Sequence, residues 1–285
     1  MKKQNKTVPK KDGNTFKIFG IELISTSTSS VLGLVEQRIA KSQKTFIVTP
    51  NTEFLVFSRK APWFKRILIQ SDIAIPDGVA LIWAKEVLKK NNPFSRLLVG
   101  FWTGLKVIFE GWGEKRVSGT DLTEKLCQMA AQNNWSVYLF GGEKPGIAKK
   151  TLEILEQKYP NLHGWATAGP NLELRMENGE WKTEKKEIDE EWVTKINQKN
   201  PDLLFVAFGM GKQEKFIFDN WSRLKVKLAM GVGGAFDYLS GEIKRAPQWL
   251  QNSGLEWSYR LIQEPWRWKR QLRLLKFIWL VLKQS

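Results

Sequence analysis

Cysteine and histidine are almost absent from this sequence of 285 residues, which contains one of each. The single cysteine, Cys127, has no partner in the chain, so a disulfide framework is excluded and a reducing compartment is expected. The single histidine, His163, falls in a predicted polar connection, with no second histidine or cysteine nearby to form a zinc site or a triad. Base catalysis, if present, therefore has to use carboxylates.

Long uninterrupted apolar runs are also missing. A membrane-spanning helix needs about 18 or more apolar residues in succession, and the two most apolar segments are interrupted by Lys106 and Glu110 or by the basic residues between 267 and 276. The amino-terminal stretch MKKQNKTVPKKDGN is basic, but no apolar segment follows it directly. We therefore expect residues 1–15 to be a disordered basic arm rather than a signal peptide, and we expect no spanning helix.

Acidic residues are outnumbered. The sequence contains 29 aspartates and glutamates and 45 lysines and arginines, which gives a formal net charge of +16. Such an excess favours an anionic partner, and it fits nucleic acid, phosphate groups or an acidic bilayer surface equally well. Basic residues and 14 tryptophans would suit a nucleic-acid-binding protein, but no recognition motif for nucleic acid is present. We therefore expect no nucleic-acid partner.

What is abundant is an alternation of short β-rich runs with helix-length segments. Helical patterns cover residues 53–69 and 145–159, and the predicted strands are TFIVT (45–49), IAI (73–75), SVYLF (136–140), LLFVAF (203–208) and KLAMGV (227–232). Nearly continuous apolar strands of this kind are typical of a parallel sheet with both faces covered. The prediction is an α/β, Rossmann-like core over residues 16–240, followed by a helical appendage over residues 241–285.

Two further segments have an apolar helical face. One is an inserted helix over about residues 94–112, whose apolar positions are Leu97, Leu98, Phe101, Leu105, Ile108, Phe109 and Trp112. It suits either a second membrane contact or an oligomer contact. The other follows Pro265 and places arginines and lysines beside a stripe made of Trp268, Leu272, Leu275, Ile278, Trp279 and Leu282. This composition favours attachment to an anionic membrane, although docking on the core or on a partner subunit fits the same pattern.

Asp77 stands where the predicted strand IAI ends, between Pro76 and Gly78. Ligands of open parallel sheets bind at that edge, so Asp77 is a candidate site residue, while capping of the next helix is the alternative. Glycine-bearing turns also follow the strands, as FGGEKPG (140–146), FGMGKQEKF (208–216) and GVGGAFDYLSG (231–241). Such turns let backbone N–H groups approach phosphate, although each taken alone is often there only for backbone geometry.

Taken together and in order, several motifs resemble the WecG/TagA/CpsF glycosyltransferases, glycosyltransferase family 26. The resemblance covers residues 17 to 275 and is carried by TPNTEF (49–54), PDGV (76–79), VSGTDL (117–122), LFGGEKPG (139–146), FGMGKQEKF, GVGGAFDYLSGEIKRAPQW and GLEWSYRLIQEPWRWKR. It implies an inverting transfer of a sugar, most often N-acetylmannosamine, from a UDP-sugar to a polyprenyl-diphosphate-linked N-acetylglucosamine. Such reactions belong to the synthesis of teichoic acid or surface polysaccharide at the cytoplasmic face of the membrane.

The resemblance also implies roles for individual residues. Asp77 becomes the catalytic base, and Thr49, Asn51 and Gln213 are expected to contact the sugars or the nucleotide, although Asn51 suits a simple turn as well. The implied nucleotide pocket consists of Gly141, Gly142, Gly209, Gly233, Gly234 and Asp237, of which Asp237 would equally suit a helix start. Arginines of the appendage are expected to neutralise the departing diphosphate: Arg260, Arg267 and Arg270.

Some features stay open at this point. The sequence has no Asp-x-Asp pair of the kind that holds a divalent cation under a nucleotide sugar, so we expect no metal and no cofactor besides the UDP-sugar substrate. Another UDP-hexose or a uronic acid donor for exopolysaccharide fits the same motifs, as does a nucleotide-sugar sensor without turnover. The helix over residues 94–112 departs from the family pattern. A homo-oligomer is plausible, and the sequence does not specify it.

Overall fold

The computed structural model of the protein describes residues 15–110, 117–170, 174–177, 180–183, 186–253, 255–265 and 268–284. Its centre is a six-stranded sheet in which every neighbouring pair of strands is parallel. From one edge to the other the strands are β4 (Ile73–Ala74), β3 (Thr45–Val48), β10 (Leu228–Gly231), β9 (Leu203–Ala207), β5 (Ser136–Gly141) and β6 (His163–Thr167). The predicted α/β fold is confirmed.

Alternating strand residues build two hydrophobic cores, one on each face of the sheet. In β3, Phe46 and Val48 point into the first core and Ile47 into the second. Helices of the first core are α2 (Thr52–Ser58), α3 (Pro62–Gln70), α4 (Val79–Val87), α8 (Lys186–Lys199), α9 (Lys212–Asn220) and α13 (Trp268–Leu282). Helices of the second are α1 (Thr28–Ala40), α6 (Gly119–Gln132), α7 (Ile147–Lys158) and α10 (Ala235–Leu239). Burial on both faces explains why the strands are apolar without interruption.

The order of the strands opens a crevice in the middle of the sheet. From β5 the chain runs through α7 to β6 on one side, and from β9 it runs through α9 to β10 on the other. Connections that leave neighbouring strands in opposite directions create a gap above the carboxyl ends of those strands, which is where such sheets bind ligands.

Three local predictions were wrong. Residues 53–69 form two helices instead of one, because Pro62 lacks an N–H group and begins α3. His163 is the first residue of β6, an edge strand that is only partly buried and therefore lacks an apolar run. Before α1 the chain forms an unpredicted antiparallel hairpin of β1 (Thr15–Ile18) and β2 (Ile21–Ile24).

The remaining elements lie outside the sheet. The charged excursion at 171–192 contains a hairpin of β7 (Leu174–Glu177) and β8 (Glu180–Thr183) and then enters α8. The inserted helix is α5 (Pro93–Glu110), and the appendage contains α11 (Gln248–Asn252) and α12 (Glu256–Gln263) before α13. Within the described ranges, no helix has both the length and the apolar character required to cross a bilayer. The predicted basic arm, apart from residue 15, lies outside the described residues.

Candidate active site

A cleft of about 910 Å³ opens at the carboxyl edge of the sheet. Each of the six parallel strands contributes lining residues from its carboxyl end or from the loop or helix that follows it, and α12, α13 and the start of α6 contribute the rest. The structure describes eleven of the thirteen predicted site residues, by their side chains or, for glycines, by their backbone. Ten of these eleven line the cleft: Thr49, Asn51, Asp77, Gly142, Gly209, Gln213, Gly233, Gly234, Asp237 and Arg260. Residues from distant parts of the sequence therefore meet in one cavity.

Asp77 and Thr49 converge above the amino-terminal end of α6. A Cβ built on Gly119, the first residue of that helix, would lie 3.3 Å from Thr49 Oγ1 and 3.6 Å from Asp77 Oδ2. The backbone of Asp77 is held on both sides, since its N–H donates to the Pro50 carbonyl at 2.8 Å and it forms a parallel bridge with Val117. A carboxylate beside a helix amino terminus is in a favourable electrostatic position.

Helix α4 begins shortly after Asp77, and its first residues show whether Asp77 occupies the N-cap position. The N-cap residue of this helix is Gly78, with φ +96°, and it supplies no side-chain cap. Asp77 is thus one residue outside the cap position, half-buried, with its carboxylate at the cleft wall. This position leaves the carboxylate within reach of a ligand in the cleft.

Asn51 is the N-cap of α2. Its Oδ1 accepts hydrogen bonds from the N–H groups of Glu53 at 3.0 Å and Phe54 at 3.1 Å. This is the backbone-bonding role that the sequence left open, and it occupies the side-chain oxygen. Only the amide Nδ2 remains as a donor toward a sugar in the cleft.

Gln213 lies in the floor of the cleft with 3% of its surface exposed. Its Oε1 accepts from the N–H of Gly233 at 3.0 Å, and its Nε2 donates to Glu214 Oε1 at 2.6 Å. Glu214 Oε2 in turn accepts from the N–H of Gly211 at 2.7 Å. The chain of hydrogen bonds ties the turn after β10 to the start of α9, so in this structure Gln213 positions the cleft wall.

Glu214 is a buried acid that the sequence reasoning missed. Burial raises its pKa to about 7, against the opposing effect of the bonds from Gln213 and Gly211. The complete burial of this carboxylate cannot be read from GKQEK, because it depends on packing between α9 and β10.

Stability is expected to depend on pH through Glu214. The folded chain keeps the proton up to about pH 7, whereas an unfolded glutamate releases it near about pH 4.3. The stabilisation is therefore complete below the unfolded pKa and is lost as the pH rises to 7, by about 3 kcal/mol. Chemical unfolding of wild type and Glu214→Gln at pH 5 and pH 8 measures this.

The glutamine variant should be less stable than wild type at pH 5, because its NH₂ group faces a donor, yet it should show no Glu214-dependent decline toward pH 8. Asp219→Asn, on the exposed side of the same helix, is the control and should keep the wild-type slope. Equal pH slopes for wild type and Glu214→Gln would contradict the assignment.

The turn after β5 contains two adjacent glycines that were predicted as site residues, and the structure places them differently. Gly142 lines the cleft, while Gly141 does not and is buried at the end of the strand. Gly141 has φ +103°, and a Cβ there would lie 2.7 Å from the Ala207 carbonyl oxygen. The absence of a side chain at Gly141 therefore serves the close approach of β5 and β9, and only its neighbour faces the ligand space.

Arg260 reaches the cleft from α12. A Cβ on Gly234 would lie 3.1 Å from Arg260 Nη2 and 3.0 Å from Asp237 Oδ2, so both charged groups sit over the turn after β10. The guanidinium stacks on Tyr238, with Cζ 4.9 Å from the ring centroid, and Nε donates to Glu264 at 2.7 Å. Burial opposes its charge, but Tyr238, Glu264 and Asp237 outweigh this and raise the pKa of Arg260.

The side chains of the other two predicted arginines fall outside the part of the chain that the structure describes. Arg267 lies outside the described residues, and Arg270 belongs to α13 but its side chain lies outside the described part. Two lysines that the sequence reasoning did not single out line the cleft, Lys144 after β5 and Lys212 at the start of α9. Lys144 also pairs with Glu242 of the appendage.

Arg245 joins the appendage to the core beside Asp77. Its guanidinium forms a two-pronged ion pair with Asp121, with Nη2 donating at 2.8 Å, and it also contacts Ser118 and Glu256. Asp121 and Ser118 belong to the start of α6, and Glu256 begins α12. The motif GEIKRAPQW draws attention to Arg245 in the sequence. Its charge does not identify Asp121, 124 positions away, as the partner.

Helix α13 docks on the core through the face opposite to its predicted stripe. Phe277 and Val281 are fully buried, Arg273 pairs with Glu53, and Leu274 lines the cleft. The stripe residues Trp268, Leu272, Leu275 and Trp279 remain between 52% and 64% exposed. Docking on the core and an exposed apolar face, which the sequence treated as alternatives, thus occur together.

Comparisons with known proteins give the family of the chain. The chain matches the glycosyl transferase WecG/TagA/CpsF family over residues 16–98 and 100–285. It is 29% identical over 273 residues to N-acetylglucosaminyldiphosphoundecaprenol N-acetyl-beta-D-mannosaminyltransferase of Bacillus subtilis, covering 95% of this chain and 92% of that protein. It is 30% identical over 261 residues to the protein of the same name from Bacillus spizizenii, covering 92% of this chain and 88% of that protein. The family match spans both the sheet and the appendage whose helices line the cleft, which confirms the resemblance seen in the motifs: the chain belongs to the WecG/TagA/CpsF family of glycosyltransferases.

Proposed function

We propose that this glycosyltransferase moves N-acetylmannosamine from a UDP-sugar to polyprenyl-diphosphate-linked N-acetylglucosamine, with inversion and without a metal ion. The names of the two relatives support the sugar and the acceptor. The observation that carries the proposal is the meeting of the Asp77 carboxylate and the Arg260 guanidinium in one cleft. The reaction needs both charges, one to take a proton and one to receive an anion.

The proposed reaction is a single displacement. The acceptor hydroxyl oxygen attacks the anomeric carbon while the bond from that carbon to the UDP oxygen breaks, and the hydroxyl proton passes to the Asp77 carboxylate. Thr49, beside Asp77 over Gly119, orients a sugar hydroxyl. UDP leaves with its negative charge opposite Arg260, and Lys144 and Lys212 add positive charge at the same cleft.

The setting of the reaction follows from the acceptor. A polyprenyl chain is anchored in a bilayer, so the cleft has to work at a membrane surface, and the exposed stripe of α13 with its neighbouring bases suits peripheral attachment on the cytoplasmic side. Closure of the appendage over the donor would then depend on contact with lipid. The product would enter teichoic acid or surface polysaccharide synthesis.

A panel of UDP-sugars incubated with a lipid-diphosphate N-acetylglucosamine analogue tests the proposal. UDP release is expected with UDP-N-acetylmannosamine, and the rate should not change when EDTA replaces added magnesium. If UDP is released from another UDP-hexose or from a uronic acid donor instead, that sugar is the donor and the proposed reaction chemistry still holds. If no donor is turned over although UDP binds, a nucleotide-sugar sensor would replace the enzyme.

A further inference from the structure

The apolar face of α5 points away from the protein. Phe94, Leu97, Leu98, Phe101 and Trp102 form this face, and each is between 47% and 71% exposed. Amphipathic helices of proteins in water normally bury this face and expose the polar one. A row of five exposed large apolar side chains on one helix indicates a contact surface.

The packed side of α5 explains the reversed orientation. Gly100 accepts a hydrogen bond at its carbonyl from Trp83 Nε1 at 2.9 Å, and a Cβ on Gly100 would lie 2.9 Å from the same indole. Arg96 is 7% exposed, and its Nε donates to the Lys90 carbonyl at 2.8 Å. The glycine and the arginine therefore fix the helix on α4 with the large apolar residues outward.

The charges around this face identify its partner. Residues 87–109 contain Lys89, Lys90, Arg96 and Lys106 and no acidic residue, and the nearest acids are Glu86, which pairs with Lys89, and Glu110 at the end of the helix. Residues 265–285, which include α13, contain six bases and no acid. A second copy of the chain would bring cations against cations, whereas a bilayer with anionic headgroups offers both an apolar interior and the opposite charge.

The packed side of α5, opposite to this apolar face, contacts the chain segment that follows α13. The Arg96 guanidinium donates to the backbone carbonyl of Gln284, just beyond the end of α13. Helix α13 carries its own exposed apolar row and lines the cleft through Leu274. A surface that includes both helices would therefore bring the cleft to the bilayer.

We propose that α5 is a second membrane-docking element, whose apolar face enters the headgroup region of an anionic bilayer next to the α13 stripe. The reason why the enzyme needs it rests on the proposed function, since a lipid-linked acceptor reaches the cleft only when the cleft lies at the membrane. Binding itself does not depend on turnover and can be measured without donor or acceptor.

Co-sedimentation with vesicles of phosphatidylglycerol and phosphatidylcholine tests the proposal. The double variant Phe101→Ser and Trp102→Ser should lower the partition coefficient by about tenfold or more, because two aromatic side chains leave the interface. Ile69→Ser, on α3, removes an exposed apolar residue elsewhere and is the matched control. A second double variant, Lys89→Glu and Lys90→Glu, should weaken binding to these vesicles and leave the weak binding to pure phosphatidylcholine unchanged.

Turnover of a short-chain, water-soluble acceptor should stay at the wild-type rate in both double variants. Unchanged vesicle partitioning of Phe101→Ser with Trp102→Ser would overturn the proposal. Loss of self-association in that variant at unchanged partitioning would also overturn it and assign the face to a contact between copies. If wild type does not turn over the soluble acceptor, the proposed function fails, while the vesicle result still decides the role of α5.

Discussion

Replacement of Asp77 by asparagine is expected to lower kcat/KM for sugar transfer by about 10²- to 10⁴-fold, the range found when a general base is removed. Asparagine keeps the size of the side chain, and the backbone of residue 77 stays fixed by Pro50 and Val117. The amide cannot accept the acceptor's hydroxyl proton, so the loss should fall on kcat. Initial rates with the lipid-linked acceptor measure kcat and kcat/KM, and calorimetric titration with UDP measures the affinity for the nucleotide.

UDP affinity and the melting temperature should remain close to wild type in Asp77→Asn. The control is Asp219→Asn, an exposed aspartate of α9 paired with Lys215, which should keep full activity. If Asp77 only supported the start of α4, its replacement would lower the melting temperature and leave turnover within about threefold. That result would remove Asp77 from the mechanism.

Replacement of Arg260 by alanine should cost about 10²- to 10³-fold in kcat/KM, as does the loss of a preorganised group that stabilises a developing anion. Arg260 is held by stacking on Tyr238 and by the bond to Glu264, which aim the guanidinium at the turn after β10. Arg260→Lys should recover only part of the rate, because an ammonium group cannot make both contacts and face the cleft. UDP affinity should fall in both variants.

Arg66→Ala, an exposed arginine of α3, is the matched control and should have wild-type kinetics. A purely structural role of Arg260 between α10 and α12 would appear as a lower melting temperature with unchanged kcat and unchanged affinity for UDP. Wild-type UDP affinity in Arg260→Ala would therefore assign the neutralisation of the diphosphate to other cations, of which Lys144 and Lys212 line the same cleft.

The local pattern of the chain was sufficient to predict five of the six strands of the sheet. Strands that are buried on both faces have to be apolar without interruption, and this makes β3, β5, β9 and β10 visible in the sequence. The carboxyl ends of parallel strands share one edge, so Asp77, Gly142 and Gly233 could be expected at one site before their contacts were known. Edge strand β6, which is half polar and partly exposed, had no such signal.

Long-range partners could not be predicted in the same way. The pairs Arg245 with Asp121 and Arg273 with Glu53 join residues far apart in a chain with 45 basic residues, and charge alone does not choose among them. The pKa of Glu214 depends on the packing of α9 against β10, which the local pattern does not show either.

The amino-acid sequence alone therefore determined the α/β class, the family and the edge of the sheet at which the cleft opens, since these follow from periodicity and from short motifs. Tertiary packing decided which face of each amphipathic helix is covered. Periodicity shows that α5 and α13 have an apolar face, but only the contacts of Gly100 and Phe277 turn that face outward. The reason is that burial is a property of the assembled surface, to which residues from the whole chain contribute.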